Sequence, residues 1–399
     1  MDIRKIALQK HAEWRGKLRV ESRAPITNKE ELSIAYTPGV AAPCLEIAKD
    51  EDLAYTYTGK GNTVAVVTDG TAILGLGDIG PSAGMPVMEG KCALFKTFAG
   101  IDAFPICIDS KDPDVIVDTV RNISKSFGGI NLEDISAPRC FDIERRLIDC
   151  CDIPVFHDDQ HGTAIIAGAG VMNAAKVVGK KAQDLTIAIS GAGSAGISIA
   201  KMLIELGFGD ITLVDREGAI YAGAPYNNIE QEHMARVTNS RDIRGGLAEA
   251  MRGADVVIGV SAPGVIKEEM IRAMADRPIV FAMANPVPEI MPDLAKKAGA
   301  AVVGTGRSDF PNQVNNVIAF PGIFRGALDC RAKKITGRMM VAASRAIAAT
   351  VSEEELCADY VLPDGFNPDV VRNVAEAVSE AWKQDSANIA HDSDNISIR

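Results

Sequence analysis

Two pairs of acidic residues in this sequence have the composition of a cation site. Glu133 and Asp134 follow one apolar run, and Asp158 and Asp159 follow another. Such runs are typical of buried strands, and each strand would deliver its acidic pair to the carboxyl edge of a sheet. Carboxylate oxygens are the ligands that Mg²⁺ and Mn²⁺ prefer, with open positions left for substrate and water. Paired acids on a solvated face, or at the start of a helix, are an alternative that the spacing leaves open.

Two histidines flank the second acidic pair, at positions 157 and 161. A histidine pair four residues apart suggests zinc when it lies on a helix within an HExxH pattern. That pattern is absent here, and we expect the next helix to begin only at Thr163. We therefore assign no zinc site.

Lys91 is a candidate for proton transfer. Lys91 follows Gly90 and enters an apolar segment, where partial burial would lower its pKa and suit it to act as a general base. A surface lysine whose stem lies along apolar groups fits the same position. Tyr36, in the segment Ala35-Tyr36-Thr37-Pro38-Gly39-Val40, carries no signal of its own.

A glycine-rich segment predicts a dinucleotide site. Residues 191–196 (GAGSAG) follow the apolar strand 185–190 and open a helical segment, 194–206. Asp215 ends the next strand, about 20 residues further on, where such folds place the acid that binds the adenosine ribose. Small residues let the backbone approach a pyrophosphate, and the helix N-terminus presents oriented N–H groups. A tight strand-to-helix turn without a ligand is the alternative. The predicted cofactor residues are Gly191, Gly193, Ser194, Ala195, Gly196 and Asp215.

A second segment, residues 75–80, also has the GxGxxG pattern. Pro81 follows it directly and Pro86 comes soon after, so we expect no helix of useful length there. We interpret residues 75–84 as a loop, either near a site or simply structural.

The elements that position these residues alternate between strand and helix. Short apolar strands are predicted at residues 63–68, 103–108, 185–190, 211–215, 254–259, 278–282 and 301–304. Helical segments lie between most of them, and residues 337–383 also have a helical pattern. The alternation predicts an α/β fold with a Rossmann-like, doubly wound parallel sheet, preceded by a smaller α/β domain for substrate and metal.

We place the N-terminal catalytic domain at residues 1–160. The dinucleotide-binding domain follows at residues 161–383, with C-terminal helices that pack back onto the body. Residues 384–399 have no periodicity, and we expect a flexible polar tail.

Composition excludes some classes of protein. Among 399 residues, 53 are Asp or Glu and 42 are Lys or Arg, giving a net charge of −11. This balance argues against nucleic acid as a partner, because a basic face is needed to displace counterions. No apolar stretch reaches the ~18 residues of a membrane span, and the charged N-terminus is unlike a secretory signal. Eight cysteines without a CxxC pattern indicate buried thiols in a reducing compartment. We expect a soluble cytoplasmic protein without a membrane partner.

Taken together and in this order, the segments resemble the malic enzymes of the shorter bacterial type, from about Arg23 to Trp382. The matching segments are Ala35-Tyr36-Thr37-Pro38-Gly39-Val40, Val67-Thr68-Asp69-Gly70, residues 73–78 (ILGLGD), Glu89-Gly90-Lys91, Leu132-Glu133-Asp134, residues 156–163 (FHDDQHGT), Ala284-Asn285-Pro286, Asn315-Asn316 and Phe320-Pro321-Gly322.

The resemblance implies roles for individual residues. Tyr36 and Lys91 would be catalytic, with Asp158 close to the lysine. Glu133, Asp134 and Asp159 would bind the divalent cation. Asn285, Asn315 and Asn316 would contact malate or the nicotinamide.

The implied reaction is oxidative decarboxylation of (S)-malate to pyruvate and CO₂, with reduction of NAD or NADP and dependence on Mg²⁺ or Mn²⁺. One position departs from larger relatives, in which an arginine holds a malate carboxylate; here it is Ala72. A metal-independent 2-hydroxyacid dehydrogenase, an amino-acid dehydrogenase and a non-catalytic dinucleotide sensor are the rival classes.

Two further expectations concern the cofactor and the assembly. The Asp215 carboxylate would repel the 2′-phosphate of NADP, which favours NAD. The neighbouring Arg216 could instead pair with that phosphate, so NADP stays possible as a weaker substrate. The charged N-terminal helix and the loop that carries Tyr36 could reach a neighbouring subunit, so we expect a homodimer or a higher homo-oligomer.

Overall fold

The computed structural model describes residues 3–73 and 76–396, with side chains as far as residue 387. Gly75, the first glycine of the segment 75–80, lies outside the described residues. The strands of the described part are β1 (Thr63–Thr68), β2 (Asp102–Cys107), β3 (Gly129–Leu132), β4 (Val155–His157), β5 (Ile187–Ser190), β6 (Ile211–Asp215), β7 (Gly218–Ala219), β8 (Val256–Gly259), β9 (Ile279–Ala282) and β10 (Val302–Thr305).

Helices surround both sheets. They are α1 (Ile3–Trp14), α2 (Lys29–Ala35), α3 (Ala41–Lys49), α4 (Ala54–Tyr57), α5 (Pro81–Ala99), α6 (Pro113–Ile123), α7 (Arg139–Cys150), α8 (Asp158–Val177), α9 (Ser194–Glu205), α10 (Ile229–Ala235), α11 (Leu247–Met251), α12 (Glu268–Arg272), α13 (Pro292–Lys297), α14 (Phe320–Asp329), α15 (Gly337–Ala349) and α16 (Pro368–Ile396).

The strands form two parallel sheets. The first has the order β2-β1-β3-β4, and the second has the order β10-β9-β8-β5-β6-β7, in which only the short β7 runs antiparallel. Parallel strands need crossover connections, and helices cover both faces of such sheets, which explains their almost continuous apolar sequences. The predicted α/β fold with a Rossmann-like sheet is confirmed.

The C-terminal helices pack back onto the first sheet. Phe320 and Phe324 of α14 contact Phe95 of α5, with ring centroids 4.7 and 5.3 Å apart. Phe324 also meets Phe156 of β4 edge to face. Because these rings are buried, they form one continuous core between the two sheets and fix the segment before α14 beside the carboxyl end of β4.

The loop predicted for residues 75–84 is wrong at its C-terminal end. Helix α5 begins at Pro81 and runs for 19 residues with Pro86 inside it. Pro81 is tolerated because a residue in the first turn has no intrahelical partner for its N–H. Pro86 removes one hydrogen bond, and the apolar face of the helix, with Met88 and Phe95 fully buried, outweighs that loss.

Three other boundaries differ from the prediction. Helix α8 begins at Asp158 rather than Thr163, because its two acids occupy the first turn, where negative charge stabilises a helix N-terminus. Residues 350–367, between α15 and α16, are not α-helical. Helix α16 continues to Ile396, so the segment interpreted as an irregular tail after residue 383 extends that helix. Its flexibility stays a prediction.

The eight cysteines are all free thiols, but the prediction that they are buried holds only for Cys92, Cys140 and Cys151; Cys107 and Cys330 are half-buried, and the other three are exposed. Within the described residues, no helix is both long and apolar enough to cross a membrane.

Candidate active site

A buried lysine lies between two carboxylates at the carboxyl edge of the first sheet. The Lys91 Nζ atom is 2.6 Å from Asp158 Oδ2 and 2.9 Å from Glu133 Oε1. Glu133 follows β3, Asp158 follows β4, and these strands are paired with Leu132 opposite His157. Lys91 approaches from α5, and its ammonium lies 4.4 Å from the centroid of the Phe320 ring. The exposed fractions of Lys91, Asp158 and Glu133 are 9%, 0% and 2%.

Burial and charge act in opposite directions on this lysine. Burial disfavours the ammonium, but the neighbouring Asp158 and Glu133 carboxylates outweigh it and raise the pKa of Lys91. The lowered pKa expected from the sequence is therefore wrong for the structure as it stands. Burial also raises the pKa of Glu133 well above its usual value; Lys91 opposes this rise, and the Asp158, Asp159 and Asp134 carboxylates reinforce it. The cluster has more negative charge than one lysine neutralises.

The remaining two acids complete this edge of the sheet. The Asp134 backbone N–H donates to Asp159 Oδ2 at 2.7 Å, and the same oxygen lies 3.4 Å from His157 Nε2. Although burial opposes ionisation, the contact with His157 lowers the pKa of Asp159. The expectation that two strands deliver both acidic pairs to one edge is confirmed.

These carboxylates are not arranged as a closed ligand set. Among the residues that the structure describes, no three His, Cys, Asp or Glu side chains are placed to hold a metal ion. Glu133 is instead engaged with Lys91 and with the side-chain amide of Asn131, whose Nδ2 donates to Glu133 Oε1 at 2.7 Å.

The two histidines have other partners. His157 Nδ1 contacts the side-chain amide of Gln160. His161 Nε2 lies 2.9 Å from Glu144 Oε1, a buried acid that also accepts the His157 backbone N–H. Helix α8 includes position 161, contrary to the prediction that no helix covers it. The two histidines contact different side chains, Gln160 and Glu144, and do not form a shared metal site.

The predicted asparagines are distributed around the junction of the two sheets. A Cβ atom at Gly162 would lie 1.9 Å from Asp158 Oδ1 and 3.1 Å from Asn316 Cβ, so Asn316 is next to the acidic cluster. Asn315 accepts the Val317 N–H as a cap of the following turn. Asn285 packs against Gly306, beyond the end of β10.

Tyr36 is not part of the cluster within one chain. It terminates α2, and 65% of its surface is exposed. No residue from 3 to 59 is buried, so the whole segment that carries Tyr36 lies outside the core.

The glycine-rich turn lies at the carboxyl end of β5 and opens α9. Gly191 has a φ of +114°, and a Cβ there would be 2.7 Å from the Val260 carbonyl oxygen. A Cβ at Gly196 would be 1.9 Å from the Gly191 carbonyl oxygen. Neither position therefore admits a side chain, and the turn borders a cavity of about 530 Å³ that Asp215 also lines.

Asp215 is held in place at the rim of this cavity. Its Oδ1 accepts the Arg216 backbone N–H at 2.9 Å, and its Oδ2 accepts the Gln231 side-chain amide at 2.5 Å. Arg216 itself is exposed.

Ala72 stands where the larger relatives have an arginine. It lies beside the acids, since its backbone N–H donates to the Asp134 carbonyl oxygen at 2.9 Å. A positively charged side chain, Arg139, does lie beside Thr71, the residue before Ala72. The guanidinium of Arg139 contacts Asp69 at 3.0 Å and Thr71 at 3.1 Å.

Sequence reasoning missed three residues of this region. Glu289 is fully buried and accepts the backbone N–H groups of Ser261 at 2.8 Å and Ala284 at 3.0 Å. It thus links the cavity rim to the segment that carries Asn285. Gln231 is the second. The third is Phe320, which lies in one of the matching segments but whose contact with Lys91 was not predicted. The pattern Asn-x-x-Gln at 228–231 marks a helix start, but nothing local shows that Gln231 or Glu289 faces a distant loop.

Comparison with known proteins identifies the family of this chain. Residues 15–148 match the family model described as "Malic enzyme, N-terminal domain", and residues 160–383 match "Malic enzyme, NAD binding domain". The chain belongs to the malic enzyme family.

Individual relatives match over most of the chain. An NAD-dependent malic enzyme of Geobacillus stearothermophilus is 56% identical, over 92% of this chain and 76% of the relative. An NADP-dependent malic enzyme of Halomonas elongata is 48% identical, over 95% and 93%. The crystal structure of an NAD-dependent malic enzyme from Thermotoga maritima superposes with a TM-score of 0.90 at 46% identity, covering 94% of this chain and 98% of that one.

Proposed function

We propose that this protein catalyses the oxidative decarboxylation of (S)-malate to pyruvate and CO₂, with NAD as the hydride acceptor and a divalent cation, in the cytoplasm. The observation that carries the proposal is the buried Lys91 between Asp158 and Glu133, in a chain of this family. Neither a metal-independent dehydrogenase nor a dinucleotide sensor requires such an excess of buried carboxylates around one lysine.

The chemistry of these residues fits Mg²⁺ or Mn²⁺, although Glu133 must leave its contacts with Lys91 and Asn131 to bind the cation. Asp158 Oδ1 is buried without a hydrogen-bond partner among the described residues, and burial together with the neighbouring carboxylates raises the pKa of Glu133. A divalent cation would offset this concentration of carboxylate charge, and carboxylate oxygens are its preferred ligands. We assign Glu133, Asp134 and Asp159 as the ligands. When bound, the cation would polarise the oxygen on malate C2 and stabilise the charge that develops as CO₂ leaves.

The residues of the chain supply proton transfer and positioning. Lys91 would accept the proton of the malate C2 hydroxyl at Nζ in its neutral form, which a bound cation favours by offsetting the carboxylate charge that raises the pKa of Lys91. Asp158, at 2.6 Å, accepts a hydrogen bond from the resulting ammonium and keeps it aimed at the substrate. Burial of both groups excludes water from this proton. Tyr36 donates a proton to C3 after CO₂ has left, and Asn285, Asn315 and Asn316 contact malate or the nicotinamide.

Tyr36 and Lys91 should therefore support different steps. We expect Tyr36→Phe to impair pyruvate formation from malate while retaining oxaloacetate reduction better than Lys91→Ala, because the tyrosine acts only after hydride transfer. Both half-reactions are measured for both variants at saturating cation. Equal loss of both half-reactions in the two variants would remove this division of roles.

The N-terminal segment supports a homodimer. Residues 3–59 include no buried residue, and their apolar side chains remain exposed to solvent in one chain. Those more than 50% exposed are Ile3, Leu8, Trp14, Val20, Ile26, Ile34, Tyr36, Leu45 and Tyr57. An apolar surface of this extent is typical of an interface. A second copy of the chain related by a two-fold axis would cover it, and would place Tyr36 of each subunit in the partner's site.

Subunit mixing tests both parts of this assembly. We expect light scattering to give the mass of a dimer at assay concentration. Tyr36→Phe and Lys91→Ala subunits, each impaired in pyruvate formation from malate, should regain that activity when co-expressed, because each mixed dimer then contains one complete site. A fully active monomer would exclude the dimer, and a dimer without complementation would place Tyr36 in its own subunit's site.

The proposed dinucleotide site favours NAD over NADP. The cavity beside Gly191 and Gly196 admits a pyrophosphate close to the backbone, and the helix N-terminus of α9 faces it. The Asp215 carboxylate at the rim can accept hydrogen bonds from ribose hydroxyls but repels a 2′-phosphate.

Removing this carboxylate should shift the preference. In wild-type protein we expect kcat/KM to be higher for NAD than for NADP at saturating malate and cation. Asp215→Ser should shift the ratio toward NADP, because the repulsion is lost. Arg216→Ala, which removes the neighbouring positive charge but keeps the Asp215 carboxylate, is the control. A wild-type preference for NADP would overturn the cofactor assignment.

A further inference from the structure

A cavity of about 410 Å³ lies between α8 and α15, at the end of α8 opposite to Asp158. We call it the α8–α15 cavity. Among the described residues that line it, three are positively charged, Lys176, Lys180 and Arg345, and none is acidic. The other lining residues are apolar: Met172, Ala175, Ala182, Ala348 and Ala349. The chain as a whole has a net charge of −11, so this cavity reverses the prevailing sign of charge. The proposed reaction uses none of these residues.

Two helices form the walls of the cavity with the same spacing of residues. Positions 172, 175 and 176 line it from α8, and positions 345, 348 and 349 line it from α15. Residues three and four apart share one face of a helix, so each helix presents one cation and two apolar side chains. The buried Asn173 of α8 donates from Nδ2 to the Ala348 carbonyl oxygen at 2.9 Å. This bond fixes the two helices to each other at the cavity.

The three cations differ in their partners. Lys180 Nζ lies 2.6 Å from Asp255 Oδ1, so a carboxylate balances its charge. Lys176 and Arg345 are exposed, and neither has an ion-pair or hydrogen-bond partner among the described residues. Like charges that face one cavity repel each other. A bound anion would replace that repulsion with attraction to both side chains.

Stabilisation of a helix end explains only part of this arrangement. Lys176 lies in the last turn of α8, and Lys180 follows that turn. Positive charge there stabilises the carboxyl end of a helix. Arg345 does not lie in the last turn of α15, so the dipole of that helix does not account for it.

We propose that the α8–α15 cavity binds an organic phosphate, with the phosphate group between Lys176 and Arg345 and the organic part against the apolar residues. Guanidinium and ammonium groups are the usual partners of phosphate oxygens in proteins. The cavity has the size of a small-molecule site, and such sites are mostly apolar with a few polar groups that orient the ligand.

The proposed site is separate from the catalytic and dinucleotide sites. Lys176 and Asp158 lie about 27 Å apart along α8, at a helical rise of about 1.5 Å per residue. The α8–α15 cavity also shares no lining residue with the cavity beside Gly191. It would therefore hold a second ligand while malate and the dinucleotide are bound.

The test measures the binding of phenyl phosphate to the full chain by ³¹P NMR. NAD is present at saturation, so that the proposed dinucleotide cavity is occupied, and metal is omitted. Lys176→Gln and Arg345→Gln each remove one charge at an exposed position, so both variants should fold. We expect each to raise the Kd about tenfold, the size of one hydrogen bond to a charged group. The control is Lys297→Gln, the same change at an exposed lysine of α13, which should leave the Kd unchanged.

Two further probes define what the site recognises. Inorganic phosphate lacks the apolar part and phenol lacks the charge, so both should bind more weakly than phenyl phosphate. Inorganic phosphate that binds as tightly as phenyl phosphate would overturn the assignment of an organic ligand. Equal weakening by Lys297→Gln and by the two cavity variants would show non-specific attraction and overturn the site.

The role of NAD in this experiment separates the proposal from the proposed function. Binding that disappears at saturating NAD would place the phosphate in the dinucleotide cavity and overturn the proposal. If the chain does not bind NAD, the proposed function is wrong about the cofactor. Lys176→Gln and Arg345→Gln then still decide whether phenyl phosphate binds in the α8–α15 cavity, because neither residue belongs to the proposed active site.

Discussion

Replacement of Lys91 by methionine is expected to lower kcat/KM for malate oxidation by about 10³-fold, within the range that a positioned general base contributes. The side chain lies within hydrogen-bond distance of Asp158 and Glu133, and no other lysine among the described residues pairs with either carboxylate. The measurement is steady-state formation of the reduced cofactor at saturating Mn²⁺.

A lost ion pair could also weaken the fold, because methionine leaves two buried carboxylates without their cation. Lys91→Arg separates the two effects. Arginine keeps the positive charge but stays protonated, since its pKa exceeds about 12, so we expect a stable but inactive protein. Lys96→Met, on the exposed side of the same helix, should retain activity. An active Lys91→Arg variant would show that Lys91 is not the base.

Replacement of Asp159 by asparagine is the second large expected effect. The change is isosteric and removes one negative charge from the proposed ligand set. Because a catalytic cation contributes several kcal/mol, we expect kcat/KM to fall by about 10³-fold and the Kd for Mn²⁺ to rise. Calorimetry with Mn²⁺ measures the second quantity without turnover.

The control for this variant is Asp152→Asn, an exposed acid that precedes β4, which should leave both quantities unchanged. NAD binding and the melting temperature should be close to wild-type in both variants. Near-normal malate oxidation by Asp159→Asn in metal-stripped buffer would show that Asp159 is not a ligand.

The fold was predictable where local pattern and tertiary packing agree. The strand that ends at Ser190, the glycine-rich turn and Asp215 are set by residues adjacent in sequence, and the structure places them as expected. Helix α5 was not predicted, because Pro81 and Pro86 were taken to prevent a helix, an argument that considers the helix in isolation. The packing of Phe95 against α14, more than 200 residues away in sequence, stabilises it.

The site was predictable in its residue types but not in its contacts. The two acidic pairs follow strands, so their meeting at one edge could be inferred. The burial of Lys91 could not, because it depends on Phe320 and on two strands distant in sequence. The same holds for the link between Gln231 and Asp215. Tyr36 lies on a segment that one chain leaves exposed, so its partner can be identified only in an assembly.

The most direct test of the central claim follows all products of malate and NAD in one reaction. With Mn²⁺ present, we expect NADH, pyruvate and CO₂ to form in equal amounts, EDTA to abolish all three, and excess Mn²⁺ to restore them. NADH formation that continues in EDTA, or that yields oxaloacetate without CO₂, would contradict a metal-dependent decarboxylating dehydrogenase.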